Sequence, residues 1–260
     1  MYRRFFAWMT LAAALLARAG AAESIMASGI LTARQEIDIG TELRGTIVWM
    51  ADEGAEVGQG EPLVKLRDTL ERLEVRLRKA QLDAARYSFD RFKKDYESAQ
   101  KLHAQGVLRE EELRARQLDS LVAQSQVEQA DAQHQLALEN VAMRTICAPT
   151  NCVVSKHFKR VGEVLIVSTG VENIMRVLHL DTLLFISYPD VRHIGLIRTG
   201  HKADIQLMQP RMPKLQGTVI FVDPAVDPNS GSFRVKVLVP NPGHKVPPGL
   251  QGSARFLVGE

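Results

Sequence analysis

The chain has 260 residues, and its 33 lysines and arginines against 30 acids give a formal net charge of only +3. Arg3, Arg4 and Arg18 account for all of that excess, so the rest of the chain is neutral and offers no electrostatic case for nucleic-acid binding. Two cysteines and seven scattered histidines, with no His pair at i,i+4 and no HExxH motif, give no zinc-ligand spacing.

Residues 1–22 have the plan of a cleavable secretory signal peptide: basic Arg3 and Arg4, an apolar run from Phe5 to Ala17, then Ala19-Gly20-Ala21-Ala22. The apolar run is too short to span a bilayer as a helix. An uncleaved anchor is the alternative, and the lack of a cysteine after the run argues against a lipoprotein.

From residue 23 to 68 apolar and polar positions alternate between glycines. Ile37, Ile39, Leu43, Ile47 and Val48 read as strand interiors, with turns at Gly40, Gly45, Gly54, Gly58 and Gly60. A second segment of the same character, 144–177, contains Ala148-Pro149 and Gly162-Glu163-Val164. Neither half buries its apolar face alone, so the two are expected to close into one small β-sandwich.

Between them, residues 69–143 read as a helical hairpin. No glycine or proline occurs from Thr69 to Gln105, a stretch of roughly 55 Å as helix. Leu70, Leu73, Leu77, Ala80, Ala84 and Tyr87 alternate at three and four residues and predict the coiled-coil seam. Leu118, Val122, Ser125, Gln129, Ala132 and Leu136 predict the matching seam of the second helix, after a break at Gly106. Acid-before-base pairs four apart, such as Asp68–Arg72 and Glu74–Arg78, support the exposed faces.

Residues 178–260 contain five strand candidates, Phe185–Tyr188, Ala203–Leu207, Leu215–Val222, Ser232–Val239 and Ser253–Val258. Prolines and glycines punctuate them, as in a small antiparallel β-barrel. The fold class is therefore mixed α+β: a split β-sandwich interrupted by a long hairpin, then a barrel.

Several phrases of this chain resemble periplasmic adaptors, the membrane fusion proteins of tripartite efflux and secretion systems. Gly45–Leu66 and Ala148–Val164 are similar to two halves of a lipoyl-like domain. Gly217-Thr218-Val219, Val222-Asp223-Pro224-Ala225-Val226-Asp227, Ser230–Phe233, Val239-Pro240-Asn241-Pro242 and Pro248-Gly249-Leu250 are similar, in that order, to the family's barrel. The resemblance implies a periplasmic protein, held at the inner membrane by its partners. It would bridge an inner-membrane transporter, of RND type first and ABC type as the alternative, to an outer-membrane channel. It also implies a homo-oligomeric ring, a trimer or hexamer. A coiled-coil envelope scaffold is the rival from another class.

On this resemblance Leu102, Gly106, Val107, Leu108 and Arg109 form the channel-docking tip. Asp223, Asp227, Pro248 and Gly249 are candidates for contact with the transporter or a neighbouring protomer. Resistance-pump adaptors usually carry an Arg, a Leu four residues later and a Ser seven beyond. With Leu102 as the leucine, Ser98 and Arg109 occupy the other two places, so two of the three differ, and Arg109 is a poor N-cap. The chain also stops just past the last barrel strand, where a membrane-proximal domain would be expected to follow.

No cofactor is implied. Lys65, near the place where a true carrier domain presents its modified lysine, lacks the flanking context of such a site. Cys147 and Cys152 flank an Ala-Pro turn, either as a disulfide contributing about 2 kcal/mol or as two buried thiols. His201 with Met208 and Met212 hints only faintly at soft-metal contact. Without a phosphate loop, nucleophile elbow or paired carboxylates, the chain is not expected to be an enzyme.

Overall fold

The computed structural model describes residues 23–166 and 170–258. The expected signal peptide lies outside them, as do residues 167–169 of the second β-segment. The elements in order are β1 (Glu23–Thr41), β2 (Gly45–Met50), β3 (Glu56–Val57), β4 (Pro62–Leu66), α1 (Thr69–Ala104) and α2 (Glu110–Ala142). They continue as β5 (Thr145–Cys147), β6 (Cys152–His157), β7 (Val164–Leu165), β8 (Glu172–Ser187), β9 (Lys202–Leu207), β10 (Leu215–Asp227), β11 (Ser232–Pro240) and β12 (Gln251–Val258). The architecture is mixed α and β. Two compact units divide the chain, one of Asp38–Thr150 with Lys156–Met175, the other of residues up to Ile37, Asn151–Ser155 and Arg176 onward.

In the helical unit, β5, β4, β2 and β7 form a four-stranded antiparallel sheet. Met50 pairs with Val64, Val64 with Ile146 and Gly45 with Leu165. Ile47, Leu63, Val64, Leu66 and Leu165 are fully buried, and that apolar face is what holds the strands together. Gly54 and Gly60 adopt φ of +86° and +83°, the left-handed turns that side chains resist. Lys65 lies within β4, its Nζ 5.3 Å above the Trp49 ring, so it stands in a strand and not at a turn tip.

The two helices pack along their length, but not through the expected seam. Leu70 is 76% exposed and Leu118 61%, and Leu73, Leu77, Tyr87, Val122 and Leu136 are exposed as well. The residues turned inward on α1 are Glu71, Val75, Arg78, Leu82, Ala85, Phe89, Phe92, Tyr96 and Ala99, a second alternation of four and three. Leu82 is only 3% exposed. On α2 they are Leu113, Ser120, Ala123, Val127, Ala130, His134, Ala137 and Val141. Alanine and serine on α2 let the backbones approach and receive the aromatic and leucine side chains of α1. Arg86–Asp131 at 3.4 Å and a bond from Arg78 to Gln133 at 3.3 Å fix the register across the helices. Asp68–Arg72 (2.7 Å) and Glu74–Arg78 (3.3 Å) form as their spacing predicts.

At the root of the hairpin, the Arg144 guanidinium pairs with Glu71 at the start of α1 and donates to the carbonyl of Arg44 just before β2. Gly45 makes room for it, since a Cβ there would stand 2.9 Å from an Arg144 nitrogen. Both side chains of the ion pair are mostly buried, which keeps solvent from screening it.

In the other unit, strand pairing follows the order β1, β12, β9, β10, β11, β8, and β8 also pairs with β1, so the order closes on itself. Closure leaves no free edge among these six strands. Residues 23–30, expected within the first β-module, run antiparallel to β12, from Glu23 opposite Val258 to Ile30 opposite Gln251. Ile25, Ala27 and Leu31 face inward there beside Phe185, Phe233, Phe256 and Ile205. Gly29 marks the close approach to β8, for a Cβ on it would lie 2.3 Å from the carbonyl of Ile186. The strands expected from 178 onward all form, and β8 begins earlier, at Glu172.

Candidate functional site

The hairpin tip is built from five residues whose roles differ. α1 ends in a Schellman motif: Gly106 N–H donates to the carbonyl of His103 (2.9 Å) and Val107 N–H to that of Leu102 (3.0 Å). Gly106 takes φ +74°, the left-handed value this motif requires. His103 Nδ1 lies 2.9 Å from the carbonyl of Leu108, a second tie across the turn. Leu102 and Leu108 are partly exposed and Val107 is 71% exposed, so the turn presents apolar side chains at the end of a charged hairpin.

Arg109 stands at the N-cap of α2 with extended dihedrals and makes no capping bond through its side chain. Three acids, Glu110, Glu111 and Glu112, occupy the following turn. Their charge complements the partial positive charge at the helix start, and Glu110 also pairs with Arg114 at 2.5 Å. The glutamates stabilise the helix start in place of a serine cap.

The barrel-turn candidates lie in two places. Asp223 accepts from Ala225 N–H at 3.1 Å and pairs with Arg234 at 3.0 Å, across the irregular register between Val222 and Val226. Asp227 accepts from Asn229 N–H (2.9 Å) and the Ser230 hydroxyl (3.0 Å), contacts that hold its carboxyl below the usual carboxylate range. Pro248 and Gly249 precede β12. Gly249, at φ +92°, donates to the carbonyl of Leu31 (2.6 Å), and Leu31 N–H donates to Leu250 (2.8 Å). Each of these residues helps to build its own turn. Arg234 and Lys236 also lie 5.8 and 5.6 Å from the Phe221 ring, an aromatic and basic cluster that sequence reading passed over.

Cys147 and Cys152 carry free thiols and are not bridged in this structure. Cys147 is exposed at the end of β5, where Pro62 pairs with it, while Cys152 is buried at the start of β6 and burial pushes its thiol pKa up. The soft-metal hint also dissolves. Met212 packs against the core, His201 Nδ1 accepts from Arg198 N–H, and Met208 is exposed. Among the described residues no cluster of His, Cys, Asp or Glu has the arrangement to hold a metal, and no helix is long and apolar enough to cross a membrane.

Residues 186–258 match the family model of the CusB-like β-barrel domain. No curated protein sequence matches the chain. Among solved structures it is similar to MacA from Actinobacillus actinomycetemcomitans, with a TM-score of 0.73 and 18% identity over 91% of this chain and 79% of that one. It is similar also to the membrane fusion protein Spr0693 from Streptococcus pneumoniae R6, with a TM-score of 0.71 and 13% identity over 91% of this chain and 100% of that one. A third likeness is to ZneB from Cupriavidus metallidurans, with a TM-score of 0.50 and 17% identity over 91% and 98%. With its two-helix hairpin set between β-segments and its CusB-like segment at the C-terminal end, this chain has the fold of the periplasmic adaptor, or membrane fusion, proteins.

Proposed function

We propose that the chain is the periplasmic adaptor subunit of a tripartite efflux or secretion system, joining an inner-membrane transporter to an outer-membrane channel. The observation that carries the reading is the match of residues 186–258 to the CusB-like β-barrel domain on a chain with the adaptor fold. That same match favours an RND-type transporter. In this reading the sheet around β2 and β4 is a lipoyl-like module split by the hairpin, and the closed six-strand unit is the barrel. No covalent chemistry is assigned to it, because the work is spacing, sealing and coupling of movements.

The exposed apolar side chains Val107 and Leu102 support channel docking at the tip. The outward stripe of Leu70, Leu73, Leu77 and Tyr87 supports side-by-side packing of copies in a ring, since a regular apolar stripe of this length on a water-soluble helix marks a second packing surface. Asp223, Asp227, Pro248 and Gly249 stay candidates for the transporter or protomer contact. Residues 1–22 act as the signal that delivers the chain to the periplasm.

Affinity purification of the tagged chain from detergent-solubilised envelopes tests this reading. An RND-type transporter and an outer-membrane channel should co-purify in amounts comparable to the chain. Recovery of an ABC-type exporter would replace the transporter assignment, and recovery of the chain with itself alone would favour the envelope scaffold.

A further inference from the structure

The segment from Asn241 to Leu250 connects β11 to β12 and carries Pro248 and Gly249. Two of its anchors do not titrate. The buried Asn241 side chain donates to the carbonyls of Leu180 and Val246 and accepts from Val246 N–H, all at 3.0 Å. At the other end, Gly249 N–H donates to Leu31. The middle of the segment is held differently. His244 Nε2 lies 2.9 Å from Oδ1 of Asp181 on β8, the strand that also receives Asn241 N–H at 2.9 Å.

His244 has φ +50°, the one positive value outside glycine among the described residues. A side chain with a Cβ adopts that conformation only when something holds it there. The ionised Asp181 carboxylate is an acceptor only, so Nε2 must carry a hydrogen and the second ring nitrogen takes up a proton as pH falls. Falling pH thereby turns a hydrogen bond from a neutral imidazole to the carboxylate into an ion pair of imidazolium and carboxylate.

The surroundings favour the ionised carboxylate. The His244 hydrogen bond, with smaller help from the Asn151 amide at 3.5 Å and the charge of His179, holds the Asp181 carboxyl below the usual range. His179 lies on the same strand, its Nδ1 2.8 Å from the carbonyl of Asn151. β1 brings Arg34 to Thr182, one residue along, and Lys245 follows His244 in the loop. These charged neighbours are all basic, so Asp181 is the acid around which the imidazoles gather.

We infer that the His244–Asp181 pair is a pH-responsive latch on the 241–250 segment, tightening it as the medium becomes mildly acidic and loosening it above neutrality. The sign follows from the two groups. A carboxylate that titrates low stays charged through the range near about pH 6.5, where imidazoles ordinarily gain their proton. The ion pair therefore forms as pH falls through that range, and it is lost only when pH falls through the folded carboxylate's own lowered range.

Hydrogen–deuterium exchange of the full mature chain tests the latch without any partner, so it stands or falls separately from the adaptor reading. After correction for intrinsic exchange, protection of the amides of residues 243–246 should rise roughly two- to five-fold between about pH 8 and pH 5.5, the scale of a partly exposed ion pair. Asp181→Asn should abolish that rise while leaving the exchange of β9 and β12 unchanged. His244→Asn, which tolerates positive φ, should abolish it too. Equal protection at both pH values in the unmodified chain, or a rise that survives in both variants, would overturn the inference.

Discussion

The two apolar stripes of α1 have nearly the same sequence grammar and opposite fates. Leu70, Leu73, Leu77, Ala80, Ala84 and Tyr87 repeat at three and four residues and are exposed; Val75, Arg78, Leu82, Ala85, Phe89, Phe92, Tyr96 and Ala99 repeat at three and four and face α2. Periodicity therefore shows that a helix face is built to pack, but the partner helix decides which face meets it. Here α2 offers Ser120, Ala123, Ala130 and Ala137, small side chains that admit close approach, and the bulkier α1 residues fill the space above them.

The contrast is sharpest when one leucine from each stripe is cut back. Leu82→Ala should destabilise the mature chain by about 2–5 kcal/mol, because it leaves a cavity in the seam, and chemical denaturation would show the shift. Equal stability of Leu82→Ala and the unmodified chain would break the assignment of the inner seam. Arg144→Ala should rank next, at roughly 1–3 kcal/mol, since it leaves Glu71 mostly buried without its cation and the Arg44 carbonyl without this donor. Glu71→Gln, which keeps an acceptor, should cost less than Arg144→Ala. At the tip, Gly106→Ala should cost about 1 kcal/mol because it places a Cβ at φ +74°. A thermal melt reads that difference. The smallest effect belongs to the outer stripe: Leu77→Ala should change monomer stability by less than about 0.5 kcal/mol. A loss as large as that for Leu82→Ala would mean that the two faces had been exchanged.

Element types were legible from local composition. The glycine- and proline-free stretch from Thr69 became one helix, and Gly106 ended it through a left-handed cap. The short strands after residue 178 followed from alternation between turn residues. What sequence did not reveal depends on contacts distant along the chain. Residues 23–30 alternate like their neighbours, and only the open side of β12 makes them part of the closed sheet. Arg144 and Glu71 are 73 positions apart, so nothing local signals their pairing. Cys147 and Cys152 look like a pair by spacing, yet Cys147 is exposed at the end of its strand and Cys152 is buried. The tip was readable as far as Leu102, Gly106 and Val107. The acids that replace the serine cap were visible as Glu110-Glu111-Glu112, a signal that could have been read through the helix dipole.

If the apolar tip of the hairpin docks a channel, site-specific photo-crosslinking from Val107 in intact cells should capture the contact. The expected product is a covalent adduct with an outer-membrane channel protein, identified by mass spectrometry and lost when Leu102 is replaced by Asp in the same chain. Adducts only between copies of this chain, or with an envelope protein that is not a channel, would contradict it.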